Sequence, residues 1–130
     1  NCVGVMGKGL ALEFKKRFPE CVGDYESACR EGVLQPGRCH VFDRGTDAKP
    51  RFIVHFPTKR HWREPSQLGD IAAGLKDLAA RVDALRIQSV AVPALGCGLG
   101  GLDWSLVRGV IEEGLASSTA QFHVFPPVPA

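Results

Sequence analysis

The stretch "QSVAVPALGCGLGGLDW", Gln88 to Trp104, decides the fold. Its first half, Gln88 to Leu95, is β-branched and nearly all apolar, the pattern of a central strand buried on both faces. Its second half places Gly96, Gly98, Gly100 and Gly101 within six residues, just before an apolar-periodic segment that starts at Trp104. Strand, tight loop and helix make half of an α/β unit, and in such sheets ligands bind beyond the carboxyl ends of the strands.

Working outward, Leu68, Ile71, Leu75, Leu78, Val82 and Leu85 recur at spacings of three and four, which predicts a helix with one buried face and Ser66 as its N-cap. On the other side a helix is expected from Trp104 to Leu115, with Leu106, Val110, Ile111 and Leu115 apolar, and then a strand in "QFHVF", Gln121 to Phe125. Nearer the start, Leu10, Leu12, Phe14 and Phe18 predict a helix stopped by Pro19, and a second runs from Cys21 to about Glu31 before Gly32. "HVFD", His40 to Asp43, and the run Arg51 to Phe56, halted by Pro57, read as two neighbouring strands at a sheet edge. This order predicts a mostly parallel mixed sheet with helices on both sides, joined by right-handed crossovers.

At 130 residues the chain is one domain's worth, read as a single domain over 1–130 whose proline-rich end, 126–130, leads into further chain. With 45% hydrophobic and 23% charged residues it is globular rather than disordered. A net charge of +2 does not mark a nucleic-acid binder, although Lys59-Arg60-His61-Trp62-Arg63 concentrates positive charge at one place. Cys2, Cys21, Cys29, Cys39 and Cys97 form an odd set with no CxxC pair and no Cys/His zinc spacing. The expectation is of reduced thiols in a cytoplasmic protein without a metal. No signal peptide and no apolar run near the roughly 18 residues of a membrane helix is present, so no membrane contact is expected.

Four glycines in one loop need a reason, because each costs backbone entropy. Residues 96 to 101 suit an anion cradle, in which backbone N–H groups approach a phosphate and the helix start at Trp104 adds a favourable dipole. "GVMGKG" supplies a second such loop with Gly4, Gly7 and Gly9. Neither is a P-loop, since the lysine of "GKG" is followed by glycine where Ser or Thr would hold magnesium, and the dinucleotide fingerprint fails because no strand precedes the first loop. Two glycine loops on one sheet edge suit a diphosphate gripped from both sides.

"NCVGVMGKGLALEFKKRFP", "FPTKRHWR" and "PALGCGLGGLDW" together resemble the macrodomains of the DNA ADP-ribosyl glycohydrolase antitoxins, the DarG-type family, with the terminal ADP-ribose protein glycohydrolases as more distant relatives. The resemblance covers nearly the whole chain in order. It implies a three-layer α/β/α macrodomain that binds ADP-ribose across the two glycine loops. It also implies a strand or strands before Asn1, with a Gly-Asp pair whose aspartate contacts adenine, so the chain is expected to lack that N-terminal part.

By the same resemblance, Asn1 opens the first loop near the distal ribose, and Gly7, Lys8, Gly9 and Leu10 border that ribose and the diphosphate. Gly96, Cys97, Gly98, Leu99, Gly100 and Gly101 match the second phosphate loop. Thr58 is also assigned to ADP-ribose, and Lys59 matches the lysine that the family places at the distal ribose and implicates in attack on C1″. A lysine of ordinary basicity is almost wholly protonated at neutral pH, so attack needs burial or neighbouring positive charge, for which Lys8, Arg60 and Arg63 are the sources at hand. A charged Lys59 can instead stabilise the departing thymine anion or the diphosphate.

The protein-directed relatives carry an aspartate where this chain has Gly100, so their lysine-plus-aspartate arrangement is not reproduced. Asp103 reads as a helix N-cap. Trp62 either stacks on a base of single-stranded DNA, with Arg60 and Arg63 on phosphates and His61 also assigned to DNA, or covers the adjacent helix. His55 and His123 alternate with apolar neighbours and read as core histidines; "EFKKRF" reads as a solvated helix face; Cys97 reads as a small filler in its loop rather than a nucleophile.

The function expected from the resemblance is metal- and cofactor-independent removal of ADP-ribose from thymidine in single-stranded DNA by a monomer. Such an enzyme reverses a cognate ADP-ribosyltransferase toxin and so acts as antitoxin and in DNA repair. The alternatives are a glycohydrolase on ADP-ribosylated protein or ADP-ribose esters, and a non-catalytic ADP-ribose reader or toxin-binding module.

Overall fold

A computed structural model of the protein describes residues 1–128. Its elements are α1 (Gly9–Arg17), α2 (Glu20–Arg30), β1 (His40–Asp43), β2 (Phe52–His55), α3 (Leu68–Ala84), β3 (Ser89–Val92), α4 (Trp104–Leu115) and β4 (Gln121–Val124). The α/β order is the one the hydrophobic periods predict. The strands form two pairs: β1 and β2 are antiparallel with His40 opposite His55, while β3 and β4 are parallel with Ser89 opposite Gln121. The parallel pair needs a crossover, and α4 provides it.

The main core joins α3, α4 and the end of β3. Ile71, Leu75, Leu78 and Val82 of α3 meet Val107, Ile111 and Leu115 of α4 and Val92 and Leu95 beyond them, with Cys39 at the margin. Burying each large aliphatic side chain contributes about 1.5–3 kcal/mol, so this helix pair is the stable base for the loops at its ends. Two glycines permit the close packing. A β-carbon on Gly114 would stand 2.9 Å from Leu75 Cβ, and one on Gly74 would stand 2.5 Å from the Phe56 ring. A second, smaller cluster joins Tyr25 and Ala28 of α2 to Leu34, with Met6 and Cys29 against it.

Several positions differ from the periodic reading. Ser66 does not cap α3: the N-cap is Gln67, whose side chain makes no capping bond, and Ser66 is buried elsewhere. Leu85 is exposed because it follows the last helical residue, and Leu106 lies on the outer face of α4. His123 is exposed, so of the two histidines read as core only His55 is buried. β3 is not covered on both faces: Val92 is buried and Val90 half-buried, whereas Ser89 and Ala91 are exposed. Asp103 caps α4 as expected, its Oδ1 accepting from the Ser105 N–H at 3.1 Å. The lysines and arginine of "EFKKRF" are exposed as read. Residues 129 and 130 of the proline-rich end lie outside the described residues.

Candidate functional site

The three segments singled out by sequence converge. Gly9, at φ +61°, opens α1, and a β-carbon on it would stand 3.7 Å from Leu99 Cδ1, so the first glycine loop abuts the second. The Cys2 N–H donates to the Arg60 carbonyl at 3.3 Å and the Cys2 thiol to the Lys59 carbonyl at 3.6 Å, which sets the start of the first loop beside the lysine segment. The Ser66 N–H donates to the Gly100 carbonyl at 3.0 Å and ties the end of the lysine segment to the second loop.

Within the second loop, the Leu102 N–H donates to the Gly96 carbonyl at 2.9 Å and the Gly101 N–H to the Gly98 carbonyl at 3.1 Å. Among the described residues the intervening N–H groups of Gly98, Leu99 and Gly100 find no acceptor. Three successive free donors beside a helix N-terminus are suited to an anion. Gly96 at φ +74° adopts a backbone that L side chains rarely take. At Gly100 the reason is space: a β-carbon would overlap Ser66 Oγ and stand 2.5 Å from the Gly96 carbonyl oxygen. An aspartate at that position would require Ser66 and the Gly96 carbonyl to shift. Gly98 is uncrowded, and no steric requirement holds it.

Asn1 is built into its loop. Its Oδ1 accepts from the N–H groups of Val3 (3.0 Å) and Val5 (3.3 Å) and from the Tyr25 hydroxyl (2.7 Å), while its Nδ2 donates to the Val5 carbonyl at 2.7 Å. The amide thus shapes residues 1 to 5, leaving one N–H free to face a ligand. Gly7, Lys8 and Leu10 are exposed, Lys8 preceding α1 with extended backbone and no capping bond from its side chain. Burial raises the Tyr25 hydroxyl's pKa, with Cys29 adding to it, so the phenol stays protonated and can donate to Asn1.

Thr58 and Lys59 are half-buried, and Lys59 Nζ lies 3.4 Å from the Trp62 carbonyl oxygen. Arg60 is engaged in an ion pair. Its Nε and Nη2 donate to Asp70 Oδ2 and Oδ1 at 3.1 and 3.2 Å. His61 Nδ1 accepts from the Arg63 N–H at 3.1 Å, which shapes the turn. Trp62 is 46% exposed, with the Arg63 guanidinium 4.6 Å above its ring and the His61 ring 5.2 Å away. Of the four residues assigned to DNA, then, Trp62 and Arg63 present free surface, His61 supports the turn and Arg60 is committed to an ion pair.

Cys97 is half-buried, with its thiol donating to the Leu95 carbonyl at 3.6 Å; burial pushes its pKa up and Asp103 adds to that, the opposite of an activated thiolate. The five cysteines are free thiols. Among the described residues no group of three His, Cys, Asp or Glu could hold a metal ion, and no helix is long and apolar enough to cross a membrane. A cavity of about 410 Å³ lies apart from the loops, lined by His40, Val41, Phe52 and the end of α3. Sequence reading missed Tyr25 and Asp70 and gave Ser66 a different role; Tyr25, Asp70 and Ser66 contact Asn1, Arg60 and Gly100 respectively.

A profile of the Macro domain family matches residues 1–111. The chain is 50% identical over 129 residues to the DNA ADP-ribosyl glycohydrolase of Thermus aquaticus, covering 98% of this chain and 36% of that protein. Among solved structures, the macrodomain of Thermus aquaticus DarG superposes with a TM-score of 0.93 at 48% identity, over 98% of this chain and 85% of that one. Thermosipho africanus DarTG in complex with ADP-ribose superposes at 0.91 and 35% identity, over 98% of this chain and 36% of that one. The chain thus spans about a third of the length of the curated relative it matches. It belongs to the macrodomain family, and its likeness within that family is to the DarG macrodomains.

Proposed function

We propose that the protein binds ADP-ribose across the two glycine loops and hydrolyses its N-glycosidic link to thymidine in single-stranded DNA, as antitoxin to a DNA ADP-ribosyltransferase. The observation that carries this is the meeting of Gly9 with Leu99 beside the Lys59 segment, with the N–H groups of residues 98 to 100 unsatisfied at the junction. The ADP-ribose complex of the Thermosipho relative and the name of the Thermus relative support the ligand and the reaction.

In this reading the free N–H groups hold the diphosphate and the Asn1 loop borders the distal ribose. The bond between the anomeric carbon and the thymine nitrogen breaks, its electron pair leaving with the base. A water oxygen takes its place on the carbon, and the water's proton goes to the base. Lys59 acts at that carbon, either as an amine that attacks first and is then displaced by water, or as an ammonium that stabilises the departing thymine anion. Trp62 and Arg63 hold the strand by stacking and charge. The protein works as a monomer in the cytoplasm, without metal or cofactor.

The test is release of free ADP-ribose from a single-stranded oligonucleotide carrying ADP-ribose on thymidine, with ADP-ribosylated protein as comparison. Release from the oligonucleotide supports the proposal. Release from protein alone would move the substrate to protein, and ADP-ribose binding without release from either would leave a reader.

A further inference from the structure

Arg60 and Asp70 form a clamp that holds the backbone carrying Lys59. The Arg60 fork meets both carboxylate oxygens of Asp70, at 3.1 and 3.2 Å, the geometry in which guanidinium and carboxylate bind with most directional restraint. The carboxylate is the sheltered partner, its side chain only 14% exposed against 52% for Arg60. Asp70 sits in the first turn of α3, next to Ile71, which is fully buried in the main core. The anchor is therefore a rigid helix, and what it holds is a loop. From the other side the same loop is held by Cys2, which bonds the Arg60 and Lys59 carbonyls. Lys59 thus stands on a backbone pinned between the first turn of α3 and the first glycine loop.

We propose that Asp70 is a positioning residue for the reaction: through Arg60 it sets where Lys59 Nζ stands relative to ADP-ribose bound across the loops. This rests on the proposed reading of the site. A displacement near 1 Å of a reacting group can lower turnover by about 10²-fold while leaving the rest of the binding surface intact. The ion pair's own contribution to stability is small because Arg60 is half-exposed, so the expected signature lies in turnover rather than folding.

The test compares the unmodified protein with Asp70→Asn, Lys59→Ala and the exchanged pair Arg60→Asp with Asp70→Arg. The readings are kcat and KM on the modified oligonucleotide, ADP-ribose affinity, and hydrogen exchange of the amides of residues 58 to 63. Asp70→Asn is expected to lower kcat by about tenfold or more, with ADP-ribose affinity unchanged and faster exchange confined to that loop, and the exchanged pair to recover part of both. Unchanged exchange in Asp70→Asn, or faster exchange with unchanged kcat, overturns the inference. Turnover lost in Lys59→Ala but kept in Asp70→Asn overturns the inference alone. No turnover by the unmodified protein, or full turnover by Lys59→Ala, overturns the reading of the site and the inference with it.

Discussion

The hydroxyl oxygen of Ser66 fills the space that a β-carbon on Gly100 would need, while the Ser66 N–H holds the Gly100 carbonyl at 3.0 Å. The buried hydroxyl has no hydrogen-bond partner among the described residues, so at this point the second glycine loop is held in place by packing and one backbone bond. Gly100→Ala would force the loop outward from Ser66 and from the Gly96 carbonyl. Overpacking of this kind costs about 1–3 kcal/mol, and tenfold in affinity corresponds to about 1.4 kcal/mol. If the loop must return to its present shape to bind, ADP-ribose affinity measured by calorimetry is expected to fall about fivefold or more. Adding Ser66→Gly should restore only part, because the Gly96 carbonyl still stands in the way.

Tyr25 is on the buried face of α2 and its hydroxyl lies 2.7 Å from both the carbonyl and the Oδ1 of Asn1. Tyr25→Phe keeps the ring and removes the donor, so stability is expected to fall by only about 1 kcal/mol. The first loop loses its tie to α2, and ADP-ribose affinity should drop further than that change in stability accounts for. Equal affinity in Tyr25→Phe would show that the loop keeps its shape without the phenol.

His55 supplies a pH dependence. Burial holds its imidazole below the ordinary range; Asp24, with Oδ2 3.3 Å from Nε2, opposes this, and His40, whose ring stacks at 5.9 Å, adds to it. The folded protein therefore keeps His55 neutral where the unfolded chain would protonate it. As pH falls below about 6.5, the unfolded state takes up more protons and stability drops. Melting curves at pH 7.5 and 5.5 should show this fall, and His55→Gln should make it shallower. Asp43, held down to about 2 chiefly by its hydrogen bonds from Arg51, acts in a separate, more acid window.

Gly74 faces the Phe56 ring in the middle of α3. Alanine is the better helix former by about 1 kcal/mol, yet its methyl group would collide with the ring, at a cost of about 1–3 kcal/mol. Gly74→Ala is expected to lower the melting temperature, whereas the same change at the uncrowded Gly69 should raise or preserve it.

What could be read without coordinates follows physical range. The α3 period, the stop at Pro19 and the Asp103 cap depend on neighbours in the chain, and they stand as read; the two glycine-rich segments likewise fall before α1 and α4. Leu85 and Leu106 fit the apolar period but fall at a helix end and an outer face, where period alone does not report what packs against them. Ser66 had the form of a cap, yet its contacts come from a loop more than thirty residues away. Arg60 looked like a free cation because Asp70 is ten residues further on, across a turn, where no local pattern signals a pair.

On the proposed function, Lys59 acts on ADP-ribose held by the two loops. The direct measurement is ADP-ribose release from the thymidine-modified oligonucleotide by the unmodified protein, Lys59→Ala and Lys59→Arg, each checked for ADP-ribose binding. Release by the unmodified protein and its loss in Lys59→Ala, with binding retained, are expected. Residual release by Lys59→Arg would assign an electrostatic role, and its absence an amine that attacks. Undiminished release by Lys59→Ala would show that Lys59 takes no part in the reaction.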